Sequence, residues 1–105
     1  MAEAGERILG YASFVPGYNT DIPARELWML DLFVLARRRG QGVGRALLSA
    51  VAREAVRRRL TCVEWGVRAS NTRATRFYRR LGATIGHNRI AALIGPALTA
   101  VAARR

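Results

Sequence analysis

The sequence predicts a single α/β domain over residues 1–105, in which helices pack on a mostly antiparallel sheet. Three observations carry that prediction. The chain has 105 residues, half of them apolar, enough for one core and no second domain. Its hydrophobic period switches between two and 3.6 in the order β-β-α-β-α-β. The first switch to a helical period comes directly after a cluster of three glycines.

Residues 7–15 are rich in β-formers, and Pro16-Gly17 then signals a turn. Residues 18–25 contain Asn, Thr, Asp and Pro and read as a loop. Residues 26–35 are apolar apart from Glu26 and Asp31 and read as a central strand, antiparallel to the first. From 43 to 59 one helical stripe gathers Val43, Leu47, Leu48, Val51, Ala55 and Val56. Arg45, Ser49, Arg53 and Arg57 fall on the polar face, and Glu54 is spaced to pair with Arg58. A short strand at 61–67 contains Cys62, Val63, Trp65 and Val67. Residues 71–81 are helical again, with Ala74, Phe77, Tyr78 and Leu81 on one face, and Gly82 is placed to end the helix in a left-handed conformation. Residues 83–85 and 89–94 read as strands, and 96–103 as a last helix.

Charge is lopsided: 18 basic residues, all arginine, against 7 acidic ones, for a net charge of +11. Such an excess favours an anionic partner: nucleic acid, a membrane surface or a phosphorylated cofactor. Arginine clusters at 37–39, 57–59 and 79–80 are spread over several elements and match no recognition-helix motif, so nucleic-acid binding is the weaker of the two soluble readings. No apolar run approaches the length of a membrane span, and residues 1–7 lack a targeting core; no membrane partner and a cytoplasmic location are the expectation. Cys62 is the lone cysteine and reads as a small core residue. No Cys or His group has metal-ligand spacing, so no metal is expected. His87 follows a glycine in a loop and reads as exposed and idle.

The chemical signal lies at the junction between the second strand and the first helix, in Arg39, Gly40, Gln41, Gly42, Val43, Gly44 and Arg45. A helix N-terminus presents unpaired N–H groups and the positive end of a dipole, and glycines let those groups approach phosphate oxygens. The segment is not a dinucleotide GxGxxG, which would need glycine where Arg45 stands, nor a Walker loop, since the chain has no lysine.

Three separated parts, Leu32-Phe33-Val34, Arg39 to Gly44, and Asn71-x-x-Ala74-x-x-Phe77-Tyr78-x-x-Leu81-Gly82, resemble in order and spacing the core of the GNAT superfamily of N-acetyltransferases. Trp65 and the Leu81-Gly82-Ala83 ending are similar to its diamine (spermidine/spermine) acetyltransferase branch, with a weaker likeness at Gly10-Tyr11-Ala12. The resemblance implies the GNAT fold without its first strand and first two helices. It implies acetyl-CoA as acyl donor and a primary amine as acceptor. Leu32, Phe33, Val34, the Arg39–Arg45 segment, Asn71 and Tyr78 would contact the cofactor. It further implies a strand bulge near Val34 whose N–H stabilises the oxyanion, and Tyr78 as the acid that protonates the departing thiolate. Where the diamine branch has an acidic residue this chain has Leu30. Asp31 is adjacent but, on a regular strand, faces the other way; Glu26, Asp31 and Glu64 are the candidate bases. Missing acceptor walls raise two further expectations: a homodimer that covers the gap, and, as the alternative to an enzyme, a silent acyl-CoA-binding or regulatory module.

Overall fold

The computed structural model describes residues 2–4, 7–19, 24–34 and 42–104, with side chains from Gly10 onward. Its elements are β1 (Ala2–Ala4), β2 (Arg7–Asn19), β3 (Ala24–Val34), α1 (Val43–Arg57), β4 (Cys62–Gly66), α2 (Thr72–Arg80), β5 (Thr84–Ile85), β6 (Ile90–Ile94) and α3 (Pro96–Ala102). The strands form one six-stranded sheet in the order β1-β2-β3-β4-β6-β5. Only β3 and β4 run parallel among the described strands. The expected α/β sandwich is therefore present, with β1 as an added edge.

Two expectations at the start of the chain need correction. Pro16-Gly17 is not a turn: β2 continues through it, with Pro16 in register with Leu27 and Asn19 with Ala24. A residue without an N–H is tolerated there because β1 covers β2 only as far as Gly10, which leaves an edge strand beyond it. The predicted loop at 18–25 shrinks accordingly, since Tyr18, Asn19, Ala24 and Arg25 all belong to strands.

The β2–β3 ladder also contains a bulge. Ser13 pairs with Asp31 and Phe14 with Met29, so Leu30 is the extra residue on β3. The sequence shows why. Leu27 and Met29 face the core, and so do Leu32 and Ala12 beyond them. A spacing of three between Met29 and Leu32 cannot be met by strict alternation. The bulge restores the apolar set to one face and moves Asp31 off the core. It lies at Leu30 rather than near Val34, where Gly10 and Val34 are still paired. Asp31 is consequently not turned away from Leu30: both are exposed, and Ser13 Oγ donates to Asp31 Oδ2 at 3.3 Å.

Against the core face lies α1, with Leu47, Leu48, Val51, Ala52 and Ala55 buried. Val56, expected on that stripe, is 41% exposed, whereas Ser49, expected on the polar face, is buried. Because α3 packs along α1 as well as the sheet, the buried arc is wider than one stripe and rotated from it. The Glu54 pair forms as expected: Arg58 Nε donates to its Oε2 at 2.6 Å, and Arg57 joins from the same turn. Helix α2 ends in a Schellman motif. Gly82 sits at φ +104°, its N–H bonds to Arg79 O at 3.0 Å, and Ala83 N–H bonds to Tyr78 O at 3.1 Å. His87 is exposed and Cys62 buried, both as read from sequence. No helix among the described residues is long and apolar enough to cross a membrane.

Gly10 fixes how closely β2 approaches the end of β3. A Cβ there would lie 2.3 Å from Phe33 O and 3.1 Å from Val34 Cα, both backbone atoms. Gly10→Ala should therefore destabilise the fold by about 1–3 kcal/mol, as overpacking does. Thermal melting checks this, and an unchanged Tm would show that the two strands do not meet so closely.

Candidate active site

Strands β3 and β4 are in register only at Leu27–Val63 and Trp28–Glu64. Beyond those pairs they part, and the first turn of α1 and one face of α2 border the gap. A cleft of about 640 Å³ results, lined by Leu32, Phe33 and Val34 of β3, by Gly42, Gly44 and Arg45 at the start of α1, and by Asn71, Arg73, Ala74, Phe77, Tyr78 and Arg80 of α2. A smaller hollow of about 170 Å³ lies alongside, bounded by Met29, Leu30, Asp31, Leu32, Trp65, Gly66 and Tyr78. Leu32 and Tyr78 border both.

At its N-terminus α1 is built to meet an anion. Its cap, Gly42, sits at φ +81°, no side chain caps the first N–H groups, and no acidic residue stands in the first turn. A left-handed φ rather than room is what requires glycine here, since a Cβ on Gly42 would meet nothing within 4 Å. Arg45, Arg73 and Arg80 line the cleft, and no carboxylate does so among the described residues. The N-terminus of α1 and three arginines thus border one cavity.

Of the residues the sequence nominated, Leu32, Phe33, Val34, Gly42, Gly44, Arg45, Asn71 and Tyr78 line this cleft. Val43 does not: it turns inward and is 8% exposed, a core residue of α1. Arg39, Gly40 and Gln41 lie outside the described residues. The sequence reading missed Arg73, Ala74, Phe77 and Arg80. Arg73 and Arg80 are seven apart, two turns of one helix face, and that spacing could have found them. Asn71 caps α2, its Oδ1 accepting from Ala74 N–H at 3.1 Å, which leaves its Nδ2 group as a donor.

Tyr78 packs edge-on against Trp65, with ring centroids 5.1 Å apart, and beside Phe77 at 5.5 Å. Burial raises its pKa above the ordinary tyrosine value, while the Trp65 indole beside it works against the rise. The indole N–H closes no hydrogen bond of normal geometry among the described residues. A phenol in this setting stays protonated throughout the neutral range.

The three acidic candidates separate. Asp31 lines the hollow that Tyr78 borders, carried there by the bulge. Glu26 and Glu64 line neither cavity. Burial pushes the Glu26 carboxyl up to about 8, and Glu64, by sharing a proton and by its charge, pushes the same way.

This architecture matches that of known proteins. Residues 1–83 fit the acetyltransferase (GNAT) family model. Over 95 residues, 90% of the chain and 42% of the relative, the sequence is 34% identical to the L-ornithine N5-acetyltransferase NATA1 of Arabidopsis thaliana. Among solved structures, ribosomal-protein-alanine N-acetyltransferase from Brucella melitensis superposes with a TM-score of 0.72 at 23% identity, covering 89% of this chain and 65% of that one. Arabidopsis thaliana Naa50, in complex with the bisubstrate analogue CoA-Ac-MVNAL, gives 0.66 at 22% identity, covering 80% and 64%. The chain therefore belongs to the GNAT acetyltransferase family and has its fold, while spanning less than half the length of the Arabidopsis acetyltransferase NATA1.

Proposed function

We propose that the chain is an acetyl-CoA-dependent N-acetyltransferase acting on a primary amine. One observation carries this above the others: Tyr78 stands between a positive cleft sized for a large anionic ligand and a smaller hollow that contains a carboxylate. Family membership and a relative named for acetylating ornithine support the same reaction class.

In the proposed arrangement, the first N–H groups of α1 with Arg45, Arg73 and Arg80 hold the phosphates of the donor. Arg39, Gly40 and Gln41, which precede Gly42 in sequence, are proposed as further contacts to the same phosphates. The edge of β3 from Met29 to Val34, freed from β4, binds the pantetheine arm through its backbone, with Leu32, Phe33 and Val34 against it. A backbone N–H on that edge stabilises the oxyanion that forms when the amine attacks the thioester carbonyl. Asp31 takes the proton lost by the attacking nitrogen, directly or through water. As the carbon–sulfur bond breaks, the electron pair stays on sulfur and Tyr78 O–H donates its proton there. The raised Tyr78 pKa keeps that proton available at neutral pH. No covalent acyl-enzyme is needed.

Tyr78→Phe removes the acid but keeps the ring packing. It should lower kcat by at least tenfold, with acetyl-CoA affinity nearly unchanged. Turnover equal to the native protein's would remove Tyr78 from the mechanism; binding without turnover on any amine would favour a silent acyl-CoA-binding module.

A homodimer forms part of the proposal. Tyr11, Val15, Tyr18 and Ile94 are large apolar residues outside both cavities, left 37–61% exposed. Sedimentation should report a dimer at micromolar concentration, and a monomer alone there would contradict it.

A further inference from the structure

Glu26, Cys62 and Glu64 meet on the sheet face turned away from α1. Trp28 is in register with Glu64 and Leu27 with Val63, so Glu26 on β3 and Cys62 and Glu64 on β4 point to one side. Their donor atoms all lie within 4.8 Å of one another. Glu26 is 2% exposed and Cys62 0%, while Glu64 is half-buried. Neither Glu26 oxygen accepts from an N–H or hydroxyl donor among the described residues, and the Glu64 carboxyl beside it satisfies it only by sharing a proton. Cys62 is a free thiol.

Two adjacent carboxylates, one buried and one half-buried, are unfavourable as a doubly charged pair unless a proton or a cation sits between them. Arginine is abundant in this chain, yet the ion pairs among the described residues are all at Glu54. A shared proton would satisfy the carboxyl pair and would need no sulfur. A thiolate with two carboxylates is instead a donor set for a borderline divalent ion, softer than Mg²⁺ or Ca²⁺ sites use. Asn19 Nδ2 also donates toward Cys62 Sγ at 3.7 Å, the type of outer contact that steadies a ligating thiolate.

We propose that Glu26, Cys62 and Glu64 form a site for one divalent transition-metal ion of the Zn²⁺ type, apart from the acyl-transfer cleft. Metal–ligand lengths of about 2.0–2.3 Å set tetrahedral donors about 3.5 Å apart, so the three side chains close in by about an ångström on binding. Binding expels the thiol proton. The half-buried side of Glu64 is the entry path, and water takes the fourth position. Metal-ligand spacing in the sequence gives no hint of this, because the donors come from two strands brought side by side by parallel pairing.

The test is to titrate the chelator-treated full chain with Co²⁺ as the spectroscopic probe and then with Zn²⁺. One equivalent of Co²⁺ should produce a thiolate-to-metal charge-transfer band that Zn²⁺ displaces, and Zn²⁺ should raise the Tm of the native chain. Cys62→Ser should abolish the band, and Glu26→Gln should weaken binding at least tenfold. A native-chain spectrum without the thiolate band overturns the site, whatever the variants do. Binding that survives both substitutions unchanged also overturns it, and leaves a carboxyl pair sharing a proton.

Discussion

Strands β3 and β4 share a register for two residue pairs and then separate, and nearly every feature of the cleft depends on that separation. A regular parallel ladder would pair both edges and leave no gap. Here β3 keeps β2 on one side while its other edge is free from Met29 onward. The bulge at Leu30 falls just where the strands part. It keeps Met29 and Leu32 in the core, and it turns Asp31 to the hollow beneath Tyr78. One extra residue in a ladder thus sets both the packing and the placement of the proposed base.

The helices complete the cleft with different physics. α1 supplies a dipole and uncapped N–H groups, with Gly42 holding the left-handed entry. α2 supplies side chains: Asn71 at its cap, Arg73 and Arg80 on one face, and Tyr78 toward the sheet. The Schellman ending at Gly82 and Ala83 stops α2 where the chain must turn back to β5 and β6. Net positive charge has a local meaning in this arrangement. Part of it is neutralised at Glu54, and part is gathered around a cavity that no described carboxylate enters.

Much of this was legible from residues alone. The helical stripe over Val43 to Ala55, the α2 cap and its terminating glycine all rest on local periodicity and capping chemistry, which a sequence states directly. The resemblance of three spaced motifs singled out Gly42, Gly44 and Tyr78, which line the cleft. Three things were not legible. The continuation of β2 through Pro16 depends on that segment being an edge, which is a property of the sheet. The bulge at Leu30 depends on which face of β3 meets α1. The meeting of Glu26, Cys62 and Glu64 depends on strand pairing across 36 and 38 positions of sequence. Each is a tertiary fact, and the first two displaced readings based on local pattern: a turn at Pro16-Gly17 and strict alternation at Asp31.

Calorimetric titration with acetyl-CoA, repeated with the donor lacking its 3′-phosphate, tests the account most directly. One molecule should bind per chain, and loss of a phosphate contacted by arginine should weaken binding by about tenfold or more, the worth of a single charge-assisted contact. Absence of binding heat at millimolar acetyl-CoA, with direct dialysis also negative, would contradict the assignment of the cleft.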